Sequence, residues 1–339
     1  SSAGESATSA AAGAASPVVI PAAAYGAQLA LGALGVTLIY GILRFSNFAH
    51  GDTMAIGTAF VILVTWGLQA IGISLWPLPT ALLALPVGIA LTAVLVLCTD
   101  RAVYRFYRVK RSAPIILVMA SVGVMFIMNG LTRIIPGIGV REIRFDDGAR
   151  FLISVQDFKA WTGLNEGLSL RVSQALTLIV TALCCWALFR FLNRTRSGKA
   201  MRAYSDNEDL ALLSGINPEQ VVRLTWIIAT ALAVTAGTLY GLDKSFKAFN
   251  YFQILLPIFA AAIVGGLGNP LGAVAGGFIV AFSEVAVTYP WKKVANYLGF
   301  QPEGLLQLLS TEYKFAVSFV ILIVVLLFRP TGLFRGKSV

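Results

Sequence analysis

The sequence predicts an all-α protein: a polytopic transmembrane helical bundle of about 8–9 spans with at least one discontinuous helix. Of its 339 residues, 57% are hydrophobic and only 12% are charged, whereas about a quarter of a soluble domain is charged. Apolar runs of about 18 residues, long enough to cross a bilayer as a helix, recur along most of the chain. Runs such as FAVSFVILIVVLLF lack the period-two alternation of a membrane β-strand.

The chain divides into a flexible, small-residue N-terminal tail at 1–21, excluded from the fold, and a transmembrane region at 22–339. If residues 27–71 form one broken crossing, the number of spans is eight; otherwise it is nine. The predicted spans lie at 22–43, 47–71, 76–98, 114–135, 173–193, 224–242, 252–267, 271–289 and 314–328.

Lysine and arginine cluster beside the span ends on the side that holds the 194–223 loop and the C-terminal segment. Because cytoplasmic loops are enriched in these residues, we expect a cytoplasmic C-terminus and, with nine spans, an outer N-terminus. The same bias explains the net charge of +10, and nucleic acid is not needed as a partner. One histidine and three cysteines in apolar runs predict no metal site and no catalytic residues, so we expect no enzyme.

Two loops are long enough to carry a function. In the outer loop, VREIRFDDGARFLISV alternates apolar and polar residues around Asp147-Gly148, which predicts a β-hairpin. The 194–223 loop predicts a short cytoplasmic helix.

That short helix has a start, an end and an apolar face. Ser205 or Asp206 can cap it, and Gly215 suits its C-terminal end. Glu208 falls in its first turn, where the helix dipole favours anions. Leu210, Ala211 and Leu213 leave apolar surface outside the membrane. It either rests on the bundle or docks into a groove of another protein.

A glycine-rich stretch predicts close helix packing. Gly268, Gly272 and Gly276 follow one another at i, i+4 and i+8, a spacing that lets membrane helices approach closely. Asn269-Pro270 breaks any helix at this point. Packing alone explains the pattern, and a discontinuous helix beside a permeation path is the functional alternative.

Polar residues inside apolar runs are the remaining candidates for a site. Glu284 is a carboxylate within a span, and such residues are functional candidates or members of a structural pair. The stretch NFAHGD holds the only histidine. If a helix starts there, Asn47 shares a face with His50 and Gly51. The group either lines a solute route, where a helix N-terminus attracts a carboxylate, or forms a capped turn braced by His50.

Four segments together resemble one family. ALGALGVTLIYGILRFSNFAHGD, MRAYSDNEDLALLSGI, IVGGLGNPLGAVAGG and LLFRPTGLF are similar, in this order, to the signatures of the branched-chain amino acid ABC transporter permeases, the LivH/LivM family. The matches run from residue 26 to residue 336. The resemblance implies a permease subunit of the bacterial inner membrane, with residues 22–339 as its transmembrane domain.

The resemblance also implies partners and residue roles. A periplasmic solute-binding protein delivers the ligand, a second homologous permease forms a heterodimer with this chain, and two ATP-binding subunits hold ATP and Mg, so this chain needs no cofactor. Asn47, His50 and Gly51 would belong to the translocation pathway. Residues 201–216, with Asp206, Ala211 and Gly215, would be the coupling segment that contacts an ATPase.

Three alternatives stay open at this point. Urea, short-chain amides and other small polar solutes are carried by relatives with the same motifs. An ion-coupled secondary transporter would show inverted repeats and more intramembrane carboxylates. A membrane scaffold would leave the coupling-like helix unexplained.

Overall fold

The computed structural model of the protein describes residues 18–135, 137, 141–154, 156, 169–288, 314–329 and 331–334. Residues 1–17 of the predicted tail lie outside this range. The helices are α1 (Ile20–Leu43), α2 (His50–Ala70), α3 (Ala81–Thr99), α4 (Arg105–Val109), α5 (Pro114–Ile134), α6 (Val172–Arg194), α7 (Arg196–Asp206), α8 (Glu208–Leu213), α9 (Pro218–Lys244), α10 (Ala248–Gly265), α11 (Pro270–Thr288) and α12 (Lys314–Phe328).

The predicted fold class is confirmed. In the described residues, 8 helices are long and apolar enough to cross a membrane, and one of them, Ala81–Val109, combines α3 and α4 through a π-helical turn. The shorter apolar helix α12 coincides with the ninth predicted span. Helices suit this environment because hydrocarbon satisfies no backbone polar group, whereas a helix satisfies its own.

Helix α1 occupies the centre of the bundle and packs against α6, α9, α10 and α11. Its small residues allow this. A Cβ atom at Gly32 would lie 2.7 Å from Ile258 Cδ1, and one at Gly277 of α11 would lie 2.6 Å from the Ala30 nitrogen. Large apolar side chains instead point outwards from α5 and α12, as expected of lipid-facing surfaces.

The two ends of the bundle are distinguished by α7. Arg44, which follows α1, donates a hydrogen bond to the Ser205 carbonyl of α7 at 2.7 Å. Because α1 rises about 36 Å over its length, Ile20 lies at the opposite end. Phe334 accepts a hydrogen bond from Asn269 at 2.9 Å, near α7. The described chain therefore starts at one end and finishes at the other, as nine crossings require. We call these the α7 end and the opposite end.

The predicted hairpin around Asp147-Gly148 is wrong. Strand β1 (Phe151–Ile153) pairs instead with β2 (Leu170–Arg171) in antiparallel fashion, and Ile143 forms a bridge with Phe246. The Asp147 carboxylate accepts hydrogen bonds from the Thr80 amide (2.8 Å) and hydroxyl (2.5 Å). The aspartate thus satisfies a free amide before α3, and this tertiary contact replaces the local turn.

Candidate functional site

The NFAHGD stretch lies at a break between two helices, inside the bundle. Helix α1 ends before Arg44, which has a left-handed conformation (φ 57°), and α2 begins only at His50. The Phe48 amide donates to the Ser121 hydroxyl at 3.1 Å. Ser121 lies seven residues into α5, about 10 Å from its start, so α2 begins well below the α7 end.

Asn47 organises this break. Its side-chain oxygen accepts hydrogen bonds from the Ala49 amide at 3.1 Å and the Tyr104 hydroxyl at 3.3 Å. Its backbone carbonyl accepts from the His50 amide at 3.3 Å. A short amide side chain can bond to nearby backbone in this way without completing a helix. Asn47 is buried and joins the break to the π-helical turn after α3.

His50 and Gly51 fit closely against two other helices, α1 and α10. A Cβ atom on Gly35 of α1 would lie 2.6 Å from His50 Cε1, and one on Gly51 would lie 2.8 Å from the Tyr251 carbonyl of α10. His50 is buried, and within the described residues its Nε2 has no hydrogen-bond partner. Such close contacts are typical of a residue that holds helices together. A role of His50 in the solute route stays a prediction.

A polar network at the α7 end was not predicted from the sequence. Asp100, in the π-helical turn Asp100–Tyr104, accepts hydrogen bonds from Trp226 Nε1 at 2.8 Å and Arg108 at 2.5 Å. Tyr104 stacks on Trp226 with ring centroids 5.3 Å apart, and its hydroxyl reaches Asn47. The available signal was an aspartate directly after the apolar run of α3, and π-helical turns often mark functional sites.

Glu284 does not join Asn47 and His50. It is buried in α11 beside Tyr25 of α1, and the Ser318 hydroxyl of α12 donates to its carboxylate. On α1, Tyr25 lies ten residues from the Gly35 that contacts His50, which is about 15 Å along the helix. The predicted pathway residues therefore form two separate groups.

Asn269-Pro270 joins two spans and does not interrupt one. Pro270 is the first residue of α11, and the Asn269 side chain accepts from the Leu271 and Gly272 amides at 3.1 and 3.2 Å. Gly268 takes a left-handed conformation (φ 82°) in the same turn.

Helices α10 and α11 then meet backbone to backbone. A Cβ atom on Gly272 would lie 2.0 Å from the Gly265 oxygen, and one on Gly276 would lie 2.1 Å from the Ala261 oxygen. Only glycine leaves room for these contacts, so the spacing of small residues does correspond to a close crossing.

The 201–216 segment contains the end of α7 and all of α8, where a single short helix was predicted. Asn207 caps α8 by accepting from the Leu210 amide at 3.0 Å, so the proposed caps Ser205 and Asp206 are wrong. Both residues belong to the last turn of α7 because Thr195 starts that helix earlier. The exposed Glu208 lies in the first turn of α8 as predicted, and it accepts from the Tyr204 hydroxyl at 2.7 Å.

The apolar surface of α8 is open. Leu213 is 85% exposed and Leu210 is 60% exposed, while Ala211 is buried against the bundle. Gly215 ends the segment in a left-handed conformation (φ 83°), which suits a residue just past a helix. Helix α8 therefore exposes Leu210 and Leu213 while the buried Ala211 packs it against the bundle.

A cavity of about 270 Å³, which we call the α7 cavity, is lined by residues of three of the four motif segments. Thr37 and Gly41 of α1, Ser205 and Asp206 of α7, and Asn269 line it. The fourth segment joins through the hydrogen bond between Asn269 and Phe334. Segments far apart in sequence thus surround one site at the α7 end. Asn47, His50, Gly51 and Glu284 do not line this cavity.

Comparison with known proteins identifies the family of the chain. Residues 19–326 match the family described as "Branched-chain amino acid transport system / permease component". The chain belongs to this family. It is 31% identical over 318 residues to the LivH permease of Escherichia coli K12, with 93% of each chain covered.

Other relatives carry related names. The chain is 30% identical to LivH of Salmonella typhimurium, with 93% of each chain covered. It is 29% identical to BraD of Pseudomonas aeruginosa, over 93% of this chain and 94% of the relative. All three are named high-affinity branched-chain amino acid transport system permease proteins. No solved structure gives a significant match.

Proposed function

We propose that the protein is the transmembrane permease subunit of a binding-protein-dependent ABC importer that moves branched-chain or other hydrophobic amino acids across the bacterial inner membrane. The observation that carries the proposal is the α7–α8 segment, which presents exposed leucines where the four family motifs meet. A permease subunit without its own catalytic centre needs such a surface, because a separate ATPase must bind there to drive its conformational change.

The α7 end faces the cytoplasm in this proposal. Arg101, Arg105 and Arg108 precede the α4–α5 connection, and Arg194 and Arg196 flank the start of α7, in accordance with the positive-inside rule. The C-terminus is then cytoplasmic and the N-terminus periplasmic.

Each partner has a place in this arrangement. One of two ATP-binding subunits, which hold ATP and Mg, receives Leu210 and Leu213 in an apolar groove, a common mode of helix recognition. A second, homologous permease completes a heterodimer beside this chain. A periplasmic solute-binding protein docks at the opposite end. This chain hydrolyses no ATP and holds no cofactor.

The contacts of α7 provide a path for coupling. Arg44 ties α7 to the end of α1 through the Ser205 carbonyl. The segment from Arg44 to Asn47 leads directly into the helix break, which is also held by Tyr104. A displacement of α7 by the ATPase therefore acts on the centre of the bundle through α1 and on the start of α2 through this segment.

Leu213→Asp tests the proposal. It replaces an 85% exposed leucine with a charge that an apolar groove cannot accommodate without a desolvation penalty. We expect normal membrane insertion, loss of co-purification with the ATPase, and uptake reduced at least tenfold in liposomes. Ser214→Asp, which adds the same charge at the adjacent exposed position and keeps both leucines, is the matched control.

Two results would contradict this role of α8. If Leu213→Asp retains its ATPases and transports branched-chain amino acids like the unmodified complex, α8 is not the coupling surface. An equal loss in Ser214→Asp would show that charge near α8, and not the apolar contact, matters.

A further inference from the structure

A second cavity, lined largely by charged residues, lies at the end opposite α7. Its volume is about 350 Å³, and it is formed by the end of α9, the start of α6 and the 144–150 segment. We call it the charged cavity. Its ionisable lining residues are Arg144, Asp146, Arg150, Arg171, Asp243 and Lys244.

In the part of the chain that the structure describes, the arginines and aspartates of this cavity are not joined by close ion pairs. Within the described part of the chain, no ion pair within 4.0 Å joins Arg144 or Arg171 to Asp146 or Asp243; the ion pairs found there involve Arg105, Arg108 and their carboxylates at the α7 end. Cations and carboxylates thus face a common space with room between them.

Asp243 is the one ionisable residue of this lining whose side chain is partly buried and not exposed. Its Oδ1 is buried and makes no close hydrogen bond among the described residues, although the Gln28 side chain of α1 is near enough to act on this carboxylate as a donor. Lys244 and Arg171 are close enough to act electrostatically on this carboxylate. The Asp243 side chain as a whole is only partly buried, so a ligand with N–H donors can reach its carboxylate from the cavity.

The cavity also has an apolar wall and a fixed frame. Phe145 and Leu242 contribute apolar surface. The 144–150 segment is held on one side by the paired backbone hydrogen bonds of Ile143 and Phe246, at 2.9 and 2.7 Å, and on the other by Asp147. The Ser245 hydroxyl donates to Glu142 at 2.5 Å. The lining is therefore preorganised, as binding sites require.

We propose that the charged cavity binds a free α-amino acid as its zwitterion, with the ammonium group at Asp243, the carboxylate at Arg171 and Arg144, and the apolar side chain towards Phe145. The volume suits a small ligand, because ligand sites begin at about 300 Å³. The inference rests on the proposed import of amino acids and adds a receiving site for the solute that the binding protein releases.

The two signs of charge in the cavity distinguish amino acids from uncharged solutes. A site with both signs of charge holds a zwitterion at two points, whereas urea and short amides carry no charge to engage either. Leaving the site's charged groups unpaired penalises an analogue that lacks one end. The cavity therefore selects for free amino acids over neutral solutes, independently of the binding protein.

Equilibrium binding to the complete importer in nanodiscs, without its binding protein, tests this directly. The probes are radiolabelled leucine, with leucinamide, which lacks the carboxylate, 4-methylpentanoate, which lacks the ammonium group, and urea as competitors. We expect unlabelled leucine to compete at least tenfold better than any of the three. Asp243→Asn and Arg171→Gln should each weaken leucine binding at least tenfold. Lys110→Gln, an exposed cation at the α7 end, should leave it unchanged.

The outcomes are distinguishable from failure of the proposed function. Uptake with the binding protein present reports import itself, so intact import combined with unchanged leucine binding in both variants overturns the charged cavity alone. Equal competition by 4-methylpentanoate overturns the role of Asp243. If Asp243→Asn does not assemble, Arg171→Gln, at an exposed position of the rim, decides the question.

Discussion

Gly272→Ala is expected to force α10 and α11 apart. The new Cβ atom would lie 2.0 Å from the Gly265 oxygen, and ordinary van der Waals contacts begin at 3.4 Å. The backbones must therefore separate by about 1.4 Å, the difference between these distances. Neither partner can yield by rotating a side chain, because the clash is with backbone.

The magnitude follows from two opposing terms. Overpacking typically costs 1–3 kcal/mol, occasionally more, and a gap of about 1 Å removes a quarter to a half of the dispersion energy of each separated pair. Alanine in place of a helical glycine returns at most about 1 kcal/mol. We expect a net destabilisation of about 2 kcal/mol, or a Tm lowered by roughly 4–8 °C.

The assay is thermal unfolding of the purified complex at one fixed scan rate, together with uptake in liposomes. Gly123→Ala is the matched control, since that glycine lies on the exposed side of α5 with nothing within 4 Å of its hypothetical Cβ. The control should be neutral or slightly stabilised. Gly272→Leu should exceed Gly272→Ala in effect.

Equal Tm values for Gly272→Ala, Gly123→Ala and the unmodified protein would refute the reasoning. Such a result would mean that α10 and α11 are not packed backbone to backbone at Gly265. A loss of uptake without any loss of stability would instead indicate that the crossing must move during transport.

Three further predictions concern polar groups. His50→Ala should reduce uptake while the complex still assembles, and unchanged uptake in both His50→Ala and His50→Gln would contradict a pathway role. Trp226→Phe keeps an aromatic ring but removes the donor to Asp100, so unfolding free energy should fall by about 1.5–3 kcal/mol, seen as a lower Tm. Burial raises the pKa of Asp147, but hydrogen bonds from Thr80 and Gln69 outweigh it and hold this pKa below its usual 3.8. Its contribution to stability is therefore fully present above pH 4 and lost as the pH falls through the lower folded pKa; Asp147→Asn should lower the Tm at pH 7, with a smaller difference at pH 3.

The hydrophobic pattern predicted the membrane class and the positions of the spans. Apolar runs such as that of α12 can be stable only in a bilayer or in a core, and their lengths match a membrane. The Pro270 start of α11, the end of α8 at Gly215 and the break at NFAHGD were also predictable, because they depend on local backbone chemistry. The four motif segments were enough to indicate the family.

Tertiary contacts decided the rest. Asp147 caps the approach to α3 and does not form a hairpin, because Thr80 offers an amide that is distant in sequence. Glu284 and His50 are separated because they contact different levels of α1, which no spacing along the chain reveals. Asp100, Trp226 and Arg108 form one network only because α9 packs against the π-helical turn. Local backbone structure depends on neighbouring residues and can therefore be predicted from the sequence. A site depends on which helix faces come into contact, and the packing of the bundle determines those faces.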